Sequence, residues 1–340
     1  MKRVTDEGFI SPILTMDSGM GGDMRMTDAA IANGQAFLIS ELEKRDPLIR
    51  QPLTSVTWAR DVPVNVGGGW VEFETALNID YGDGGSGDNS VTAAGSNVVS
   101  MAQSNLDKDI WPAHVYSKGL RIPIIAQLRQ QIAGRSLDQM LTDGVRLSYD
   151  KHMDQNVYLG VYGRTGLLND AGVSRSTVAP SAGSASSTRW INKTPDEILY
   201  DVNKAIELTW AGAGYDREAI PNHLLIDYAN FAYIIGQKVS TAGNVSILQF
   251  LRENNIAKEN GGELFIGATR FNATAALDGG ARMAVYVHAP RFLEVSELAP
   301  LNRMMTAPNP TFAAYDSLYQ ANVGALKLFY LTTLTYWDGI

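Results

Sequence analysis

The feature that most constrains the fold is a run of strictly alternating residues that ends just before position 82. One face of this run would carry Val71, Phe73, Thr75, Leu77, Ile79 and Tyr81, and the other face is mostly polar or acidic. Successive side chains of a strand point to opposite faces, so this period predicts a half-exposed strand of antiparallel type. Residues 82–107 are small, polar and rich in glycine, and a second candidate strand follows at 110–118. The sequence therefore predicts a long β-hairpin.

A two-stranded hairpin of this kind needs a partner surface, because it is at best marginally stable by itself and its edges invite pairing. Residues 61–107 carry a net charge of −7 with no lysine or arginine, whereas residues 118–151 carry +3. An acidic projection and a basic helical region on one chain indicate head-to-tail self-association. The residues expected to make these contacts are Glu72, Phe73, Glu74, Leu77, Ile79 and Tyr81 on the hairpin, and Arg129, Arg135 and Arg146 on the helices.

The rest of the chain predicts a mixed α+β protein without regular βαβ alternation. Thr194, Pro195 and Glu197 form a strong helix start, with a capping threonine, proline in the first turn and a capping-box glutamate. Residues 174–189 are of low complexity and predict a mobile surface loop. Helices are expected at 123–133, 137–159, 194–211, 228–236 and 245–255, and strands at 223–227, 263–266, 282–288 and 323–337.

The glycine-rich segment 82–87 matches the pattern G-x-G-x-x-G, but its context argues against a nucleotide site. A dinucleotide loop needs a buried strand before the glycines and a helix after them. Here the strand before them alternates, and Asp83 would place a negative charge beside the phosphates. The acids Asp80, Asp83 and Asp88 also lack the spacing of a calcium loop. A flexible hairpin tip is the favoured interpretation.

No catalytic, cofactor or metal site is predicted. The histidines are His114, His152, His223 and His288, and none has a second histidine at the helical spacing of metal ligands. The chain has no cysteine, which excludes thiolate metal sites and suits assembly in a reducing cytoplasm. The net charge of −8 argues against a dedicated nucleic-acid reader, and no apolar run reaches the length of a membrane span. The sequence thus predicts a protein that is not an enzyme.

Several stretches resemble the major capsid protein of tailed bacteriophages, which has the Hong Kong 97-type fold. Residues 156–174, NVYLGVYGRTGLLNDAGVS, resemble the link that follows the family's spine helix. Residues 194–210, TPDEILYDVNKAIELTW, and 221–234, PNHLLIDYANFAYI, resemble the first helix and the next strand and helix of the family's A-domain. The C-terminal YWDGI is also similar to this family.

The resemblance implies an order of parts. It runs from an N-terminal arm at 1–56 through a projecting hairpin (the E-loop) at 57–120 to a P-domain with the spine helix at 121–173. The A-domain follows at 174–288, and 289–340 contains the return strands of the P-domain and the C-terminal end. Some relatives cross-link a hairpin lysine to a neighbour's asparagine. Because no lysine lies between Asp61 and Asp107, this chemistry is not expected here.

The resemblance also implies a structural protein that forms hexamers and pentamers of an icosahedral phage head around double-stranded DNA. The expected location is the virion, after assembly in the host bacterial cytoplasm. Its expected partners are further copies of itself, with portal, scaffolding or decoration proteins possible and DNA contacted non-specifically. Two alternatives stay open: an encapsulin-like nanocompartment shell that packages cargo enzymes, and an enzyme of unknown class with the glycine-rich loop as its active site.

Overall fold

Two sheets organise the chain in a computed structural model that describes residues 54–83, 102–133, 137–183, 186–240 and 244–340. The predicted arm up to residue 53, most of the glycine-rich tip and Arg135 lie outside the described residues, as does the side chain of Tyr81. Ser55–Ile340 forms one compact unit.

The bounds of the regular elements are as follows. The strands are β1 Val64–Val66, β2 Phe73–Asp83, β3 Ala102–Pro123, β4 Ser174–Thr177, β5 His223–Ile226, β6 Phe265–Ala268, β7 Arg282–Tyr286, β8 Leu293–Asn309, β9 Ala314–Leu328 and β10 Leu334–Asp338. The helices are α1 Trp58–Asp61, α2 Ile124–Ala133, α3 Leu137–Tyr158, α4 Pro195–Gly212, α5 Tyr228–Gly236, α6 Ile247–Glu253 and α7 Ile256–Glu259. The mixed α+β class predicted from the sequence is confirmed.

The first sheet has the strand order β1-β8-β9-β3-β2 and contains the predicted hairpin. The first half of β3, Ala102–Pro112, pairs with β2, and the second half, Ala113–Pro123, pairs with β9. The hairpin is therefore an extension of a central strand. The strand begins at Ala102 and not near Ile110, so the prediction that residues 102–107 belong to the loop was wrong. Pairing with β2 outweighs the weak intrinsic strand preference of these polar residues.

The helix α3 packs on this sheet and defines the first hydrophobic core. Tyr149, Met153 and Val157 of the helix are buried against Val295 and Val323 of the two long strands. The helix corresponds to the predicted element at 137–159 within one residue at its C-terminal end.

The link that follows α3 requires a glycine for a steric reason. Gly160 follows the helix with φ +75°, and a Cβ there would overlap the backbone of Arg164. Only glycine meets both conditions without strain.

The second sheet has the order β4-β10-β7-β5-β6 and packs against α4. The predicted capping box is present: the Thr194 side chain accepts from the backbone of Glu197, and the Glu197 side chain accepts from the backbone of Thr194. The predicted mobile loop at 174–189 is partly wrong. Its first residues form β4, which pairs in parallel with β10, and Val178 is buried.

The local pattern did not indicate the strand β8, although the resemblance implied return strands within 289–340, and the predicted strand at 323–337 belongs to two strands, β9 and β10. Pro300 and Pro308 interrupt the strand pattern of β8, and prolines within a run argue against a strand. The pairing of β8 with β9 contains several register shifts, and one of them spans Pro300.

Candidate assembly surface

One face of the hairpin is a row of exposed apolar side chains. Phe73, Leu77 and Ile79 of β2 lie beside Leu106 and Ile110 of β3, because Ile79 is paired with Leu106 and Thr75 with Ile110. Between 53% and 66% of each of these five residues is exposed. Large apolar groups clustered at one exposed site indicate an interaction surface.

The opposite face of the hairpin is polar, and the two glutamates predicted to share it differ. Glu72 is exposed, and its backbone oxygen accepts from the Ala113 amide at 2.8 Å. Asn78 donates to the Asp109 carboxylate across the two strands. The Glu74 side chain, in contrast, is only 11% exposed.

Glu74 is held by Lys327 of β9 within the same subunit. The Lys327 Nζ lies 2.8 Å from the Glu74 Oε1 and 2.9 Å from the Glu294 Oε1. Burial lowers the pKa of Lys327, but hydrogen bonds to the two carboxylates outweigh this effect and leave the pKa above its usual value. A distant part of the chain thus supplies the counter-charge of Glu74, which the alternation of the strand does not reveal.

Asn322 provides a second tie between β9 and the base of the hairpin. Its Nδ2 donates to the backbone oxygens of Gly69 and Val71, both at 2.9 Å. These bonds add to the backbone bond in which the Gly69 amide donates to the Leu298 oxygen of β8 at 3.0 Å. The hairpin base is thus fixed to β9 by side chains, whereas the outer part of the hairpin projects.

Two of the three arginines expected to make contacts with a neighbouring subunit lie among the described residues. Arg129 on α2 and Arg146 on α3 are both exposed. Neither forms an ion pair with any residue that the structure describes. Arg135 falls outside the described residues, so the predicted set of three arginines is represented here by two.

A second exposed apolar region lies at the end of the β8–β9 pair. Met304, Met305 and Phe312 are 49%, 62% and 59% exposed. The Arg121 guanidinium lies over the Phe312 ring at 4.1 Å and pairs with Asp316 of β9. Hydrogen bonds from Arg121 lower the pKa of Asp316 to about 2. This region lies at the Pro123 end of β3, because Pro123 pairs with Ala314.

The structure brings the four histidines into two pairs, which the spacing along the sequence did not reveal. The Nε2 atoms of His114 and His152 are 3.3 Å apart, and the rings of His223 and His288 stack with centroids 4.2 Å apart. Across the described ranges, no group of three or more histidine, cysteine, aspartate or glutamate residues converges as metal ligands. None of the helices searched in those ranges is long and apolar enough to cross a membrane.

Comparison with solved structures identifies the fold. The chain is similar to the capsid protein of Myoviridae phage XM1, with a TM-score of 0.72 at 17% identity, covering 88% of this chain and 98% of that chain. It is also similar to the capsid of the native GTA particle (TM-score 0.58, 13% identity, 92% and 99% covered). A Mycobacterium phage Bobi chain gives a TM-score of 0.57 at 12% identity, with 93% and 100% covered. No curated protein matches the chain.

The likeness to these structures defines the fold as the Hong Kong 97 type. The family model described as major capsid protein matches residues 87–340, which is most of the chain. The chain belongs to the major capsid protein family and forms the shell of a phage head. The resemblance inferred from the sequence is confirmed.

Proposed function

We propose that this chain assembles into hexamers and pentamers that build an icosahedral phage head around double-stranded DNA. The observation that carries the proposal is the exposed apolar row on the hairpin, formed by Phe73, Leu77, Ile79, Leu106 and Ile110. Burial of the exposed part of each side chain would stabilise the contact by about 1 kcal/mol, at the usual free energy per unit of apolar area. The row on one hairpin would thus contribute several kcal/mol to a contact with a neighbour.

The positions of the two apolar regions favour a closed shell over a simple dimer. The hairpin row flanks the first half of β3, and the Met305 and Phe312 region lies beyond its second half. The strand has 22 residues and spans about 70 Å at ~3.3 Å per residue. Two different surfaces so far apart suit heterologous contacts, which continue from subunit to subunit until a ring or shell closes.

Charge would set the orientation of the hairpin on its neighbour. Glu72 and the adjacent acidic face would meet Arg129 or Arg146 of the next subunit, with Arg135 as a further candidate. Exposed ion pairs add only about 0–1 kcal/mol each, so they would guide register more than affinity. Glu74 would act differently, by holding the hairpin base on its own subunit through Lys327.

The contents, partners and place of assembly follow as further parts of the proposal. The chain would contact packaged DNA through the phosphate backbone, without reading its sequence. Its net charge of −8 argues against a dedicated sequence reader. Assembly would occur in the host bacterial cytoplasm, with portal, scaffolding or decoration proteins as additional partners. We propose no catalytic activity for it. None of the described residues gives a specific reason to prefer the nanocompartment alternative.

The test is electron microscopy of the purified full chain and of a double variant, Leu77→Ser with Ile79→Ser. The wild type should form closed particles, and the double variant should remain soluble and folded without forming them. The control is Leu277→Ser, which removes a side chain that is 78% exposed in the segment between β6 and β7. If the double variant forms normal shells, or if only the control fails to form them, the role given to the hairpin face is wrong. Nuclease-protected DNA inside particles from infected cells would distinguish a phage head from a cargo-enclosing compartment.

A further inference from the structure

The contact between His114 and His152 joins two parts of the fold that are 38 residues apart in sequence. His114 lies in the second half of β3, two residues beyond the last pair of the hairpin, and His152 lies on α3. Their Nε2 atoms face each other at 3.3 Å, and the rings meet edge to face at 77°. Two ring nitrogens from different elements therefore converge on one point at the root of the hairpin.

The separation of the two nitrogens fits shared coordination of a metal ion. Histidine nitrogens bind such ions at about 2.0–2.1 Å, and a tetrahedral angle then places two of them about 3.3–3.4 Å apart. We propose that His114 and His152 form a binding site for a divalent transition-metal ion of the kind that prefers imidazole, such as Cu²⁺, Ni²⁺ or Zn²⁺. Both rings would carry their proton on Nδ1 and direct the Nε2 lone pair at the ion.

The surroundings of the pair are compatible with this assignment. Burial, followed by the neighbouring His152, lowers the pKa of His114 to about 4, and burial lowers that of His152. Both imidazoles are thus neutral near pH 7, which is the form that binds metals. Tyr162 packs on His114 and is 76% exposed, so the pair lies close to solvent. Water would complete the coordination, because no third histidine, cysteine or carboxylate joins the pair among the described residues.

The second histidine pair offers an internal control. The rings of His223 and His288 are nearly parallel, with an angle of 15° between their planes and centroids 4.2 Å apart. Ring-nitrogen lone pairs lie in the ring plane, so those of stacked rings project side by side and do not converge. A metal that simply prefers any buried histidine would bind both pairs, whereas the proposed geometry selects His114 and His152.

The consequence of binding would be mechanical. The ion would link β3 to α3 at the point where the hairpin leaves the sheet, through bonds much stronger than the single hydrogen bond that two neutral imidazoles can form. The root of the hairpin would become more rigid, and the link would be reversible by chelation.

The first test is electron paramagnetic resonance of the full chain with one equivalent of CuCl₂. The wild type should give a spectrum with superhyperfine splitting from two imidazole nitrogens. The variants His114→Gln and His152→Gln should each lose that spectrum and one equivalent of bound copper, and His223→Gln should keep both. A wild-type spectrum without two-nitrogen splitting, or one that His152→Gln leaves unchanged, would overturn the proposal. A wild-type spectrum without two-nitrogen splitting would decide against the site even if a variant does not fold.

The second test uses ZnCl₂ and thermal unfolding. Zinc should raise the midpoint of the wild type and of His223→Gln by the same amount, and a chelator should reverse the shift. The midpoint of His114→Gln should not move. An equal zinc-induced shift in His114→Gln and in the wild type would count against the site.

Discussion

Lys327 of β9 and Glu74 of the hairpin are joined by an ion pair of 2.8 Å, although 253 residues separate them, and their side chains are only 8% and 11% exposed. Because Glu294 shares the same ammonium group at 2.9 Å, the lysine is the counter-charge of two partly buried carboxylates at once. The pair connects a strand that projects from the molecule to the central strand of its sheet. The hairpin base is thus part of the folded body, and its free length begins beyond Glu74.

Replacing Lys327 by methionine should destabilise the subunit, because it leaves Glu74 and Glu294 close together without a counter-charge. Removal of one partner from a buried ion pair typically costs about 3–5 kcal/mol. Thermal unfolding and hydrogen exchange of β2 are the measurements, and exchange should accelerate at the base of the hairpin. Lys204→Met is the control, since its pair with Glu207 is 37% and 47% exposed and solvent screens it. Equal effects of the two substitutions would refute the role of the buried pair.

Glu72→Lys should leave the subunit folded but slow assembly at low salt, because it would place a positive charge opposite the arginines of a neighbouring subunit. High salt should reduce the defect by screening the repulsion. Arg129→Glu in the same chain should partly restore assembly, measured by light scattering. Glu259→Lys makes the same change of charge on an exposed position of α7 and should assemble normally. If Glu72→Lys assembles at the wild-type rate in low salt, the electrostatic part of the docking proposal fails.

Particles should be held together without covalent links, so boiling in SDS should give one band near 36.9 kDa. No lysine lies between Asp61 and Asp107, and the next one, Lys108, lies in β3 opposite Leu77. Lys108 is exposed, however, and a nucleophilic lysine is usually activated by removal from water. Lys108→Arg should leave the band pattern unchanged. A ladder of multimers that this substitution removes would show that the lysine is used.

The His223–His288 pair should make the subunit less stable at acidic pH. Burial, and then repulsion from His288, lowers the pKa of His223 to about 3 in the folded protein, compared with about 6.5 in the unfolded chain. The unfolded chain binds more protons between these values, so stability falls as the pH drops below about 6.5. His223 should contribute about 2 kcal/mol of this loss between pH 7 and pH 5. His223→Phe should show a shallower decline in urea unfolding, and identical slopes would exclude the effect.

Gly160→Ala should destabilise the subunit more than Gly163→Ala, although the two glycines have nearly the same backbone angle, φ +75° and +77°. Left-handed backbone strain of about 1–2 kcal/mol applies to both substitutions. Only at Gly160 would the new methyl group overlap the Arg164 backbone, whereas no atom lies within 4 Å of it at Gly163. Thermal unfolding of the two variants measures the difference. Equal midpoints would mean that the link after the spine helix can shift to accommodate the methyl group.

Local sequence patterns were sufficient to predict the elements that short segments of the chain determine. The alternation from Phe73 to Tyr81, the capping box at Thr194 and the order of motifs after residue 156 led to the hairpin, the helix α4 and the capsid family. These features depend on the alternation of side chains along a strand and on residues three positions apart, so the sequence alone shows them. The exposed arginines Arg129 and Arg146 were likewise visible, although their contacts with a neighbouring subunit stay a prediction.

Tertiary structure decided whatever depends on residues that are distant along the chain. The burial of Glu74 by Lys327, the strand β8 with its prolines, and the meeting of His114 with His152 have no local signal. Each arises from contacts between distant segments, because β9 pairs with both β3 and β8 and α3 packs against β3, and the sequence does not state these partners. The charge of a residue is fixed by its type, but whether that charge is solvated, paired or available to a ligand is fixed by what the fold places beside it.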